Sequence, residues 1–314
     1  MAQGTVKETI RFMRYDSGHQ MFIEQEIKRL VGVGSRIATL IDVGGSYERR
    51  RIYAVKLSSG SGKKTLFMNC GIHAREWITP ATCMYMLREI ITKYGSDSSI
   101  NAILNKLDVI IMPVLNVDGY TYTWNGGRAR MWRKTRSPQV GGCVGADPNR
   151  NYNAKWGGAG TSSNPCRDTY PGTRPFSEIE TRNVAHFLYN IRSSLVGYLD
   201  IHAYSQFWMT PYGHARGAYP PTYSEMMRVA SIATSALKRF YGTSYRHGSV
   251  ADIIYSATGG TIDWAAATLG VKYSYGLELR DQGRYGFLLP ANQIKPTGEE
   301  TFGAIKAMIR EMRI

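Results

Sequence analysis

Leu66-Phe67-Met68-Asn69-Cys70-Gly71-Ile72-His73-Ala74-Arg75-Glu76 is the stretch on which the reading of this chain turns. Residues 65–72 form a nearly continuous apolar run, the pattern of a strand buried on both faces of a parallel sheet. A histidine and a glutamate three positions apart follow it directly. If the backbone between them makes a helical turn, both side chains face one point. One imidazole and one carboxylate are two of the three protein ligands a catalytic zinc takes, with a fourth position left for water. The pattern alone is weak, and its weight depends on what lies downstream.

Outward from this run, strands and helices alternate, which predicts an α/β layered fold. The spacing predicts helices over 17–31, 79–94, 178–192, 223–240, 261–269 and 296–312, and strands over 36–43, 51–57, 107–115, 196–202 and 271–279. Residues 124–177 break the alternation, and a Gly-, Asn- and Pro-rich segment of that length is usually functional or tied down. No linker separates the parts, so residues 1–314 are expected to form one domain.

The chain carries a formal net charge of +15. Its basic residues are dispersed in short clusters and no nucleic-acid motif accompanies them, so a solvated basic surface is expected, with polyanion binding as the alternative. No run long enough to span a membrane is present, and the chain opens without a signal-peptide pattern. Of the four cysteines, Cys143 and Cys166 lie in the irregular segment, where a bridge would staple a loop; Cys70 and Cys83 read as small buried hydrophobes, which could pair only if their Cα atoms came within about 7 Å. A loop disulfide points to an oxidising compartment.

Ligands of open α/β sheets bind outside the carboxyl ends of the strands. His73, His202 and Glu278 all sit at such ends, and a buried Glu278 without a partner would be costly. The other histidines have plainer readings. His186 falls inside a helix as a packing residue, and His19, His214 and His247 sit in loops or beside glycine. The arginines at 128, 130, 133 and 136, followed by Asp147-Pro148-Asn149-Arg150-Asn151, are either an exposed basic loop or a site that grips carboxylates.

Six ordered motifs then carry a resemblance: Gly-Ile-His-Ala-Arg-Glu-Trp (71–77), Met-Trp-Arg-Lys-Thr-Arg-Ser (131–137), Asp-Pro-Asn-Arg-Asn (147–151), Ile-His-Ala-Tyr-Ser-Gln (201–206), Ile-Tyr-Ser-Ala-Thr-Gly-Gly-Thr-Ile-Asp-Trp (254–264) and Glu-Leu-Arg-Asp-Gln-Gly-Arg-Tyr-Gly-Phe (278–287). From about residue 10 to its end the chain resembles the zinc metallocarboxypeptidases of the A/B (pancreatic-type) subfamily. The resemblance implies a single catalytic domain with a mixed, mostly parallel twisted sheet flanked by helices on both faces. It implies one Zn²⁺ held by His73, Glu76 and His202, with Asp147 orienting His73. It implies Glu278 as general base and Arg133 as the group that stabilises the oxyanion. Asn149, Arg150 and Tyr255 would clamp the terminal carboxylate of the substrate, and Arg75, Tyr204 and Phe287 would line neighbouring subsites.

Ile262 stands where basic-residue-specific members carry an aspartate, so release of large hydrophobic or aromatic C-terminal residues is expected. Gly213 and Gly276 leave space on the pocket walls, and Ile254 and Met209 add apolar surface. The resemblance further implies cis peptides at Ala203–Tyr204, Pro211–Tyr212 and Arg280–Asp281. It implies a secreted, processed, monomeric enzyme whose pro-domain is absent here, acting on peptide or protein C-termini and open to protein inhibitors. Two alternatives remain: a non-catalytic binder of peptide ends on the same fold, which would require loss of Glu278 or of a zinc ligand, all of which are present, and a zinc-dependent deacylase of related fold, which the Asn149-Arg150 clamp with Tyr255 and an apolar floor fits less well than a peptide end.

Overall fold

The computed structural model describes residues 19–314, with side chains from residue 22 onward. Its frame is one sheet of eight strands: β1 (Ala38–Gly45), β2 (Arg51–Leu57), β3 (Thr65–Cys70), β4 (Asp108–Met112), β5 (Leu195–Ala203), β6 (Phe207–Thr210), β7 (Arg246–Ser249) and β8 (Tyr273–Leu279). The order is β1-β2-β4-β3-β5-β8-β6-β7. The central strands β4, β3, β5 and β8 run parallel; β1 pairs antiparallel with β2, β2 with β4 and β6 with β8, and the edge strand β7 lies parallel to β6.

Every residue of β3 and β4 is buried, as continuous apolar runs require when helices cover both faces. On one face lie α1 (His19–Val33), α2 (Ile78–Lys93), α3 (Ser98–Lys106), α6 (Tyr223–Tyr241) and α9 (Ile294–Glu311). The other face is covered by α4 (Val117–Thr123), α5 (Ile179–Asn190) and α8 (Thr261–Ala267); the short α7 (Val250–Ile253) follows β7. Strand alternation divides the two cores. Leu199 and Ile201 of β5 pack in the first, whereas Tyr198 packs in the second.

The predicted elements are all present, with ends shifted by a few residues; residues 17 and 18 of the first predicted helix lie outside the described residues. Five helices and strands were not anticipated: α3, α4, α7, β6 and β7. The Asp97 carboxylate caps α3 by accepting from the Ser99 and Ile100 amides, and the Asn116 side chain caps α4 through the Gly119 amide. β6 and β7 have only four residues each, too few for periodicity to register.

For Cys70 and Cys83 the structure decides between the two open alternatives. Cys70 and Cys83 are not free thiols but a disulfide, Cα to Cα 6.3 Å, joining the end of β3 to α2. They are packed into the core, as expected, and the chain reversal between strand and helix brings them face to face. Cys143 and Cys166 are bridged as expected, Cα to Cα 4.9 Å. Two histidines also differ from their readings: His186 is exposed on α5, and His247 is half-buried in β7 beside Thr234.

Candidate metal centre and peptide-end pocket

The turn after β3 delivers the first pair. His73 and Glu76 are both buried, with Nδ1 of the histidine 2.8 Å from Oε1 of the glutamate. β5 delivers His202, whose Nδ1 lies 3.2 Å from Nδ1 of His73 and 3.3 Å from Oε2 of Glu76. Among the described residues this trio is the one group of histidine, cysteine and acidic side chains with ligand atoms all within 4.8 Å of one another.

The remote nitrogens decide what this centre can hold. Nε2 of His73 faces Oδ1 of Asp147 at 3.1 Å, and Nε2 of His202 faces Oδ2 of Asp200 at 2.8 Å. A carboxylate at each Nε2 fixes the proton there and turns the Nδ1 lone pair inward. Two imidazole lone pairs and a carboxylate converging on one point repel one another unless a cation sits between them. Burial would raise Glu76, yet the two imidazoles hold it below the usual carboxylate range. Burial would lower His202, yet Asp200 and Glu76 hold it well above its ordinary value. Around the point, the carboxyl groups of Glu76, Asp147, Asp200 and Glu278 outnumber the guanidinium groups of Arg133 and Arg150, surroundings that favour a bound cation. The donor set, two imidazole nitrogens and one carboxylate, fits zinc with a position left open.

Asp147 is the hinge between this centre and its neighbours. One oxygen takes the His73 contact and the Asn149 amide at 2.9 Å; the other accepts from Nε and a terminal nitrogen of Arg133 at 3.0 and 2.9 Å. Burial alone would raise this carboxyl, but Arg133, His73 and Arg150 keep it well below its ordinary value.

Glu278 enters from β8. Oε2 is buried and makes no hydrogen bond, and burial pushes the carboxyl up to about 8 against the pull of His202 and Arg133. Beside it opens a pocket lined by Arg133, Asn149, Arg150, Tyr255, Ile262 and Gly276, with Met209, Gly213 and Ile254 on its walls. A Cβ on Gly276 would lie 3.4 Å from Met209 and 3.5 Å from Ile262, so the missing side chain opens space between them. The Tyr255 ring is half-exposed, its hydroxyl 3.4 Å from Arg150.

Arg75, Tyr204 and Phe287 stand outside this pocket as a separate wall. The Arg75 guanidinium lies 4.4 Å over the Phe287 ring and bonds Asp168 at 2.9 Å; the Tyr204 and Phe287 rings meet edge to face at 5.0 Å. Ala203–Tyr204, Pro211–Tyr212 and Arg280–Asp281 are cis, as expected.

A zinc carboxypeptidase family model matches residues 23–304. The chain belongs to the zinc carboxypeptidase family. It is 44% identical over 292 residues to mouse carboxypeptidase A2, covering 93% of this chain and 69% of that one, and 47% identical over 266 residues to human carboxypeptidase B, covering 84% and 63%. Among solved structures, bovine thrombin-activatable fibrinolysis inhibitor in complex with tick carboxypeptidase inhibitor matches at TM-score 0.88 and 39% identity, over 96% of this chain and 98% of that one. This carboxypeptidase is a zinc-dependent exopeptidase. The relatives include members named for both the A and the B type, so the pocket of this carboxypeptidase must be read from its own residues.

Two such residues escaped the sequence reading. Asp200 and Asp263 also line the pocket. Asp200 is fully buried and committed to Asn69, Thr261 and His202. Asp263 accepts the Gly213 amide at 3.0 and 2.9 Å, and burial pushes it up to about 7. A signal for Asp200 existed. It stands two residues before His202, and strand alternation puts both on one face.

Proposed function

We propose that this carboxypeptidase removes large hydrophobic or aromatic residues from peptide and protein C-termini. The observation that carries the reading is Ile262 in the pocket facing the open space at Gly276. A lysine or arginine side chain entering there would meet apolar carbon and leave its charge without a partner. The two carboxylates nearby offer no substitute, since Asp200 has its oxygens occupied and Asp263 holds a backbone amide.

In this reading His73, Glu76 and His202 hold the zinc, which supplies Lewis acidity toward water and toward the scissile carbonyl. Arg150 grips the terminal carboxylate, with Asn149 and Tyr255 beside it; only a chain end presents that group, and this limits the enzyme to exopeptidase action. A cation bound beside it would favour the ionised form of Glu278, whose buried and unpartnered Oε2 then takes a proton from the attacking water and passes it to the departing amine. Arg133, oriented by Asp147, stabilises negative charge as it develops on the carbonyl oxygen. Arg75, Tyr204 and Phe287 form a wall for residues upstream of the cleaved bond.

The two disulfides support a secreted protein, and the fold is proposed to act as a single monomeric domain. Protein inhibitors are proposed as partners, on the likeness to the bovine neighbour solved with a tick carboxypeptidase inhibitor. The test is a panel of peptides differing only in the C-terminal residue, run with and without a zinc chelator. Phe, Tyr and Trp are expected to be released and Lys to be resisted; equal or faster release of Lys would overturn the specificity.

A further inference from the structure

Asp200 makes more bonds to the site than any role so far assigned to it requires. Its side chain is fully buried in β5, where an unpaired charge would be costly. Oδ1 accepts from the Asn69 amide at 2.7 Å. Oδ2 faces Nε2 of His202 at 2.8 Å and also accepts the Thr261 hydroxyl. Thr261 opens α8, the helix that carries Ile262, and its backbone N–H donates to Oδ1 of Asn149 at 2.9 Å. The Asn149 amide nitrogen in turn lies 3.2 Å from Nε2 of His202, closing a ring of four residues. Two donors cannot satisfy each other, so the shorter contact decides. The His202 proton goes to Asp200, and the Asn149 amide keeps its hydrogens for the cleft.

We propose that Asp200 is a positioning residue that presents His202 to the metal and, through Thr261, ties that histidine to Asn149 and to the helix bearing the pocket floor. The inference rests on His202 being a zinc ligand. Each ligating histidine then has its own carboxylate, Asp147 behind His73 and Asp200 behind His202. A carboxylate behind an imidazole fixes its tautomer and raises its basicity, and losing such a partner weakens metal binding by roughly 10–100-fold.

The experiment measures zinc affinity by competition with a chromophoric chelator for the wild type, Asp200→Ala, Asp200→Asn and His202→Ala, with near-ultraviolet circular dichroism of the apo forms reporting the fold. Asp200→Ala is expected to bind zinc about 10–100-fold more weakly. Asp200→Asn should fall between it and the wild type, because the amide keeps an acceptor for the imidazole proton but loses the charge. The visible spectrum of the cobalt-substituted Asp200→Asn protein should shift, which a purely structural role would not produce. Folded Asp200 variants that hold zinc within twofold of the wild type, while His202→Ala loses it, would overturn the inference alone. If Asp200→Ala does not fold, Asp200→Asn decides by the same criterion. Full zinc affinity in His202→Ala would instead remove the ligand assignment, and this inference with it.

Discussion

His202 and Glu278 stand opposite each other in register on the adjacent parallel strands β5 and β8. The proposed metal ligand and the proposed proton acceptor therefore stand side by side at the carboxyl ends of two central strands, held by a backbone ladder rather than by a loop. Rigid placement of this kind lets the two groups act on one water molecule without reorganisation.

Replacement of Glu278 by glutamine removes the proton acceptor and keeps the shape. The rate of peptide hydrolysis is expected to fall by about 10²–10⁴-fold, while metal analysis returns the same zinc content. Loss of zinc together with activity would assign Glu278 to the metal instead.

Ile262→Asp places a carboxylate on the pocket floor. Its preference is expected to swing from Phe toward Lys and Arg peptides, by about 100-fold in the ratio of kcat/KM values, since an unpaired buried charge costs a few kcal/mol. Gly276→Thr should act on size instead. Its Cβ would stand 3.4 Å from Met209, so release of Trp should drop about tenfold relative to Phe. An unchanged Trp to Phe ratio would remove Gly276 from the account of specificity.

Glu180 on α5 is fully buried, and burial pushes it up to about 7; it accepts the Tyr47 amide, while its other oxygen is unpartnered. A carboxyl whose folded-state value is raised binds its proton more tightly in the folded protein. Its contribution to stability is complete below about pH 4.5 and is lost as pH rises toward 7. Glu180→Gln should therefore be more stable than the wild type at pH 8 by roughly 1–3 kcal/mol, and the gap should close by pH 5. Thermal melts of both proteins across that range read the difference directly; a gap that does not depend on pH would show that Glu180 is already ionised.

All four cysteines are bridged, so thiol titration of the denatured, unreduced protein should find no free thiol. The Cys83→Ser variant should unmask one thiol and lose on the order of 3 kcal/mol, the value for closing a loop of this size.

The trio His73, Glu76 and His202 was legible, and Arg133, the proposed clamp and Glu278 could be put forward, because motif order and strand-end position are properties of the chain itself. Asp200, Asp263 and the Cys70–Cys83 bridge were not read, because each depends on which elements lie side by side. Asp200 lies beside Asn69 only through the pairing of β5 with β3, and it meets Thr261 only because α8 packs over the end of β5. Cys70 and Cys83 meet only when the chain reverses into α2. β6 and β7 were missed for a related reason: strands of four residues owe their existence to the neighbouring edge of β8 more than to their own pattern.

By itself the sequence determined the α/β layering, the ligand types and the apolar pocket floor, because burial patterns and side-chain chemistry are carried residue by residue. Only the tertiary structure decided which nitrogen of each histidine faces the centre of the trio. That choice belongs to Asp147 and Asp200, two carboxylates that reach the Nε2 atoms from separate parts of the chain and leave each Nδ1 lone pair no direction but inward.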